Sequence, residues 1–142
     1  EFYGNLSEDV KKSLKENHLE QFLNEHGYVS HKQSIEGILN SNLLLITNFP
    51  DEKSKGIIPG KLFEYMATEN RILAIGPDAG DVKKLLEETE TGEYFTYEEF
   101  NEIKSYILEV YEQWKTGAQR HPNLNYHKYS RKALTERLAQ LI

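Results

Sequence analysis

The chain has 142 residues, 38% of them hydrophobic, and 17 basic against 23 acidic side chains leave a formal charge of −6. This is the length of one domain, able to bury roughly two-thirds of its unfolded surface, and its composition excludes wholesale disorder. The acidic balance speaks against a general nucleic-acid binder, and the lack of cysteine removes disulfides, thiolate zinc sites and cysteine nucleophiles.

Phe2-Tyr3 reads as a strand stub ending at Gly4-Asn5. Ser7-Glu8-Asp9-Val10 then resembles a capped helix start, with Val10 and Leu14 on one face and Asn17-His18 as the break. A short strand is expected from Gly27 to Ser30, followed by a helix carrying Ile35, Ile38 and Leu39. The clearest strand is Leu43 to Thr47; its apolar run does not alternate with polar residues, so both its faces should be covered. The polar stretch from Asn48 to Pro59 is long for a compact domain, and such loops are usually functional or mobile. Pro59-Gly60 opens a helix with Leu62, Phe63, Tyr65, Met66 and Ala67.

A strand from Arg71 to Ile75 ends at Gly76-Pro77, and Asp78 to Asp81 lead into a helix with Val82, Leu85 and Leu86 that Gly92 stops. Tyr94-Phe95 supplies a last short strand. Phe100, Ile103, Ile107, Val110 and Trp114 mark a long amphipathic helix by their spacing. Gly117 to Tyr126 reads as a linker, and a final helix from Ser130 carries Ala133, Leu134, Leu138 and Leu141 on one stripe, packed loosely or reaching outside the domain. This alternation predicts an α/β fold, a Rossmann-like parallel sheet with helices on both faces. The expected organisation is a domain over 1–117 and a linker plus C-terminal helix over 118–142. Apolar runs such as Leu43 to Ile46 are far too short to span a membrane, and no basic-then-apolar leader opens the chain, so a soluble, cytoplasmic setting is expected.

Ligands of open parallel sheets sit beyond the carboxyl ends of the strands, which singles out the loops after Ser30, Thr47 and Ile75. The second leads into Pro59-Gly60-Lys61-Leu62-Phe63-Glu64. Proline at a helix start wastes no N–H, glycine admits a ligand close to the backbone, and free amides there suit a phosphate. Lys61 adds a point charge for the same anion. Glu64, one turn on, stands on the same face, where a carboxylate can accept hydrogen bonds from two sugar hydroxyls. The same spacing equally describes a plain helix whose first-turn carboxylate complements the dipole and whose Lys61 is solvated.

The run Pro59-Gly60-Lys61-Leu62-Phe63-Glu64-Tyr65-Met66-Ala67, followed by Arg71-Ile72-Leu73-Ala74, resembles the donor-binding domain of retaining glycosyltransferases with two Rossmann domains (GT-B), in the family-4-like group. Gly27-Tyr28-Val29-Ser30-His31 with Ile35, the strand Leu43 to Thr47, Gly80-Asp81, Gly92, and Tyr129-Ser130-Arg131 with Leu134-Thr135 resemble further parts of that domain. The resemblance covers nearly the whole chain. It implies that Glu64 holds the nucleotide ribose, that the backbone at Pro59 and Gly60, with Lys61, meets the diphosphate, and that Tyr28 and Val29 lie against the base, with His31 on the same loop. The family's first motif glutamate, which touches the donor sugar, falls at Gly56; Glu52 or Ser54 would have to substitute for it.

The family's domain opens with another strand and helix bearing an arginine and a lysine that clamp the pyrophosphate. The chain resembles the remainder of that domain, from its second strand onward, and is expected to be a fragment of a longer enzyme, inactive alone. The implied chemistry is metal-independent transfer of a sugar from a UDP- or GDP-sugar to a hydroxyl acceptor, a glycan or lipid-linked molecule held by a missing N-terminal domain. Cell-surface polysaccharide synthesis at the inner face of a membrane is the implied setting, with no cofactor beyond the nucleotide-sugar donor.

Other candidates read more plainly. His18, His26, His31, His121 and His127 lack metal-ligand spacing. Asp78 and Asp81 read as turn and N-cap residues before catalytic carboxylates. The acidic runs Glu87, Glu88, Glu90 and Glu98, Glu99, Glu102 read as solvated helix faces, as do Lys128, Arg131, Lys132 and Arg137, although that basic tail also suits an acidic bilayer or the missing domain. The sequon Asn5-Leu6-Ser7 is a chance match in a cytosolic setting. The alternative function is a non-catalytic Rossmann-like binding or interaction module. A receiver-type domain is disfavoured by Asn48-Phe49-Pro50 after the clearest strand, and no Walker loop or Gly-x-Gly-x-x-Gly occurs.

Overall fold

The computed structural model describes residues 1–141 apart from Glu69 and 118–123. The described residues form an α/β fold with five strands, each paired parallel, and six α-helices. The chain divides into two compact units, Glu1–Asn40 and Ser41–Ile142.

In the first unit, β1 (Phe2–Tyr3) runs parallel to β2 (Glu25–Gly27). Helix α1 (Glu8–Glu16) begins where the Ser7 hydroxyl accepts a hydrogen bond from the Val10 N–H, and ends at Asn17, as its sequence predicts. Strand β2 stops at Gly27 instead of running on to Ser30. Gly27 turns into the left-handed region at φ 65°, and Ser30 is held in a reciprocal cap with Gln33 that starts α2 (His31–Leu39). A backbone committed to a turn and a cap cannot extend a ladder.

In the second unit, β3 (Leu43–Thr47), β4 (Arg71–Ile75) and β5 (Gly92–Phe95) form a parallel sheet in that order, in register from Leu43 opposite Arg71 to Thr47 opposite Ile75. Side chains alternate across it. Ile46, Ile72 and Ala74 pack on α3 (Lys61–Met66) and α4 (Asp81–Thr89) through Leu62, Met66, Val82, Leu85 and Leu86. On the opposite face Leu73, flanked by Leu43, Ile75 and Phe95, meets Ile103, Tyr106 and Val110 of α5 (Phe100–Lys115). Helices therefore lie on both faces of this sheet and bury β4 on each, but β3 is not covered on both faces as its apolar run predicts: Leu45 stays 52% exposed and Thr47 is exposed. The strands divide between a two-stranded and a three-stranded sheet. Intervening helices make successive strands parallel, but periodicity does not say which strands become neighbours.

Two details at the ends of α4 differ from expectation. The helix ends at Thr89, with Glu90 left-handed at φ 53° as its C-cap, so Gly92 is not the stop. Gly92 instead opens β5, where a Cβ would lie 2.2 Å from the Ile72 carbonyl oxygen; only glycine lets β5 pair so closely with β4 at this point. Nor is Asp81 the N-cap of α4: Gly80 occupies that position, and Asp81 pairs with Lys84 at 2.8 Å.

The linker expected over 117–126 falls largely on 118–123, outside the described residues. Its end is docked. The 3₁₀ turn Leu124–Tyr129 packs Tyr126 and Tyr129 against the α3–α4 core, and both Lys128 and Tyr129 donate hydrogen bonds to the Glu88 carboxylate. Helix α6 (Arg131–Ala139), capped by Ser130, keeps Leu134 and Leu138 exposed. No described helix is long and apolar enough to cross a membrane.

This packing has two measurable consequences. Gly92→Ala should cost about 3 kcal/mol, the upper range for overpacking against a backbone that cannot retreat, read from the denaturation midpoint. Hydrogen bonds from Lys128 and Tyr129 hold the Glu88 carboxyl below its ordinary pKa. A depressed carboxylate stabilises this docking above the normal glutamate range and ceases to do so as pH falls through the lowered value. Acid titration monitored through the Tyr129 ring resonances should show release of the turn, and Glu88→Gln should abolish that transition.

Candidate functional site

The carboxyl edge of the three-stranded sheet is organised by Asn48, the buried residue directly after β3. Its backbone N–H donates to the Ile75 carbonyl at 2.9 Å, which ties the ends of β3 and β4 together. Its side-chain amide donates to the Ile57 carbonyl at 2.9 Å, and its own carbonyl accepts from the Tyr97 hydroxyl at 2.5 Å. Ser54, also buried, donates to the Phe49 carbonyl, and the Asp81 N–H at the start of α4 donates to the Lys55 carbonyl at 2.8 Å. The stretch from Asn48 to Pro59 is thus a braced loop with a 3₁₀ turn at Glu52–Ser54, and its bracing sets where α3 begins.

At that beginning the Pro59 carbonyl accepts from the Leu62 N–H at 2.9 Å and the Gly60 carbonyl from the Phe63 N–H at 3.3 Å. Two of the amides expected to be open to a ligand are therefore engaged in the first turn. Those of Gly60 and Lys61 make no hydrogen bond among the described residues. Gly60 is exposed, with nothing within 4 Å of where a Cβ would stand. Leu62 and Met66 are fully buried and Tyr65 half-buried, so the helix is locked with Lys61 and Glu64, three residues apart, on its exposed side.

Lys61 forms no ion pair among the described residues; its ammonium stands 6.0 Å from the centre of the Tyr65 ring. Although the residue as a whole is exposed, protein around the ammonium desolvates it enough to lower its pKa below that of a free lysine. Glu64 likewise has no hydrogen bond or ion pair among the described residues, and its carboxylate reinforces the effect of burial in raising the Tyr65 pKa. Among the described residues, the corner thus presents two unengaged amides, an unpaired cation and an unpaired carboxylate.

The other candidates take different positions. Gly56 is exposed on the loop, and a Cβ there would stand 3.9 Å from an Asp81 carboxylate oxygen, so an acidic side chain at 56 would start beside a like charge. Ser54 cannot substitute for the sugar-touching glutamate, because its hydroxyl is buried and committed to Phe49, and Glu52 is paired with Lys55 at 2.7 Å. Pro59, Gly60, Lys61, Glu64 and Gly56 all belong to one loop–helix segment of the second unit. Tyr28, Val29 and His31 belong to the first, where Tyr28 is 94% exposed, Val29 half-buried and His31 the exposed first residue of α2.

Asn48 and Tyr97 are the residues of this corner that sequence reasoning passed over. An asparagine after a strand is an ordinary turn former, and its three bonds reach partners nine, 27 and 49 positions away. The chain matches no protein-family model and has no significant match among curated proteins.

Replacing Asn48 by alanine leaves the Ile57 carbonyl without its partner and opens space below the loop. A loss of about 1–3 kcal/mol is expected in denaturant titration, together with faster proteolysis between Asp51 and Ile58.

Proposed function

We propose that the α3 corner binds the diphosphate and ribose of a nucleotide-diphosphate sugar, and that the chain is the donor-binding part of a retaining GT-B glycosyltransferase. The observation that carries this reading is the placement of unbonded Gly60 and Lys61 amides, an unpaired Lys61 and an unpaired Glu64 on one exposed helix start at the carboxyl edge of a parallel sheet. Phosphate oxygens accept from the amides and are neutralised by the lysine. The carboxylate one turn on accepts from vicinal ribose hydroxyls. The resemblance of the run Pro59 to Ala67 to that family's motif supports the same assignment.

In glycosyl transfer the departing diphosphate gathers negative charge, and donors fixed before the reaction stabilise it without reorganising. The bracing of the loop by Asn48 and Asp81 supplies that fixity. The assignment of Tyr28 and Val29 to the base, with His31 on the same loop, rests on the family resemblance alone. A glycan or lipid-linked acceptor, held by a further domain at the inner face of a membrane, completes the proposed reaction. With Gly56 in place of the sugar-touching carboxylate, recognition of the sugar rests on other contacts.

The test compares UDP, GDP and inorganic pyrophosphate by calorimetry and NMR, up to millimolar ligand. Lys61→Ala should weaken all three by about tenfold, or 1.4 kcal/mol, the scale of one charge-assisted contact. Glu64→Ala should weaken the nucleotides and leave pyrophosphate unchanged, since only nucleotides carry the ribose. Affinity should fall on alkalinisation earlier than an ordinary lysine titrates, because the lowered Lys61 pKa brings loss of its charge to lower pH. A folded protein with no saturable response to any of the three overturns the reading.

A further inference from the structure

We propose that the turn Leu124–Tyr129 is a clasp on α3: the Tyr129 ring holds the flank of that helix and Glu88 holds the ring, so that opening the clasp loosens the segment carrying Lys61 and Glu64 while the sheet stays folded. The need for a clasp begins with the length of α3. Lys61–Met66 is six residues. That is far short of the roughly 12–15 at which an isolated helix becomes even marginally stable, so its order comes from what packs against it.

The helix reaches the core through Leu62 and Met66, with Tyr65 half-buried beside them. Phe63 lies off that stripe and is 38% exposed. Its ring meets the Tyr129 ring at 6.3 Å between centres, tilted by 49°, an arrangement in which aromatic rings attract beyond the area they bury. Tyr126 and Tyr129 also pack against the cluster in which Leu62 and Met66 meet Val82, Leu85 and Leu86 of α4. The turn therefore ties α3 to α4 from outside the core.

The turn itself is held at both ends. Behind Tyr129, the Ser130 N–H donates to the His127 carbonyl at 3.0 Å, and the Ser130 hydroxyl caps α6. At the solvent end of the ring, the Tyr129 hydroxyl and the Lys128 ammonium both donate to the Glu88 carboxylate, and that ammonium stands 5.5 Å from the centre of the Tyr129 ring. Arg137 of α6 adds a second positive charge facing Glu88. These tethers are few and wet: Glu88 is exposed, and Lys128 and Tyr129 are half-buried. Exposed ion pairs add little stability, and segments held by exposed bonds open at lower cost than a core. On the other face of the sheet, the cluster of Leu73, Tyr106 and Val110 includes no residue of the turn. The clasp can thus open without disturbing β4 against α5. Lys61 and Glu64 are then held from one side only, by the braced loop before them.

Amide hydrogen exchange of the ligand-free full chain, followed by NMR near neutral pH, tests the clasp. The Ala67 and Thr68 amides, bonded back to the Phe63 and Tyr65 carbonyls, report on α3, and the Tyr106 and Val110 amides within α5 report on the opposite layer. Tyr129→Ala should speed exchange in α3 at least about tenfold and Glu88→Ala about fivefold, with the α5 amides unchanged in both. Tyr129→Phe keeps the ring and loses the hydroxyl bond, so it should fall between the parent chain and Tyr129→Ala. Added to Glu88→Ala it should change nothing further, because both remove the same bond. If Tyr129→Ala fails to fold, Glu88→Ala decides alone. Unchanged α3 exchange in Glu88→Ala, or an equal rise in α3 and α5 that marks a general loss of stability, overturns the proposal. No ligand takes part, so nucleotide binding can fail while the clasp holds, and the reverse.

Discussion

A parallel strand covered on both faces has no side left for water, and β4 meets that condition in this chain. Ile72 and Ala74 point into the layer made by α3 and α4 while Leu73 points into the layer made by α5, and all three are buried. Apolar burial on both sides fixes the register of β3 and β5 against β4, because a one-residue slip would exchange every inward group for an outward one. The positions of the helix starts depend on that register. So does the closeness of β5 to β4, which leaves room at Gly92 for no side chain at all.

What β4 does for the layers, Asn48 does for their carboxyl edge. One small residue links the end of β4, the loop before α3 and the segment after β5, through three hydrogen bonds made in a buried setting. In the proposed reading, a loop held in this way presents the Gly60, Lys61 and Glu64 groups with little further loss of entropy, the condition under which amides and a lysine stabilise an anion effectively. Helix α3 spans only Lys61–Met66, so its dipole acts over the first turn alone. The weight of anion binding in this reading therefore falls on individual groups: the Gly60 and Lys61 amides and the Lys61 ammonium.

The elements legible in advance were those with a simple burial rule. Leu43–Thr47 and Arg71–Ile75 have the expected bounds because a continuous apolar run bounded by turn formers admits few other readings. Phe100–Lys115 obeys its three-and-four spacing, and Ser7 and Ser130 each sit at the expected start of a helix, with the side chain accepting from a backbone amide, whereas Ser30, read as the end of a strand, caps α2 in the same way. Less legible were boundaries decided by a single backbone conformation: Gly27 and Glu90 turning left-handed at the ends of β2 and α4, and Gly80, in extended backbone, taking the cap from Asp81. In the candidate site, Lys61 and Glu64 were visible through their spacing from Pro59. That Ser54 is buried and already bonded was not, since a serine in a polar stretch carries no mark of burial.

By itself the sequence determined the α/β class, the parallel sense of the strands and the helix start that carries Lys61 and Glu64, because each depends on local periodicity, capping and chain direction. Tertiary structure decided the division of the strands between two sheets, the bracing of the loop through Asn48 and Tyr97, the docking of Tyr126 and Tyr129, and the place of β3 at the end of its sheet. Each of these depends on which distant residues become neighbours, and a hydrogen bond or a packed ring between residues far apart along the chain leaves no periodic trace in the order of the amino acids.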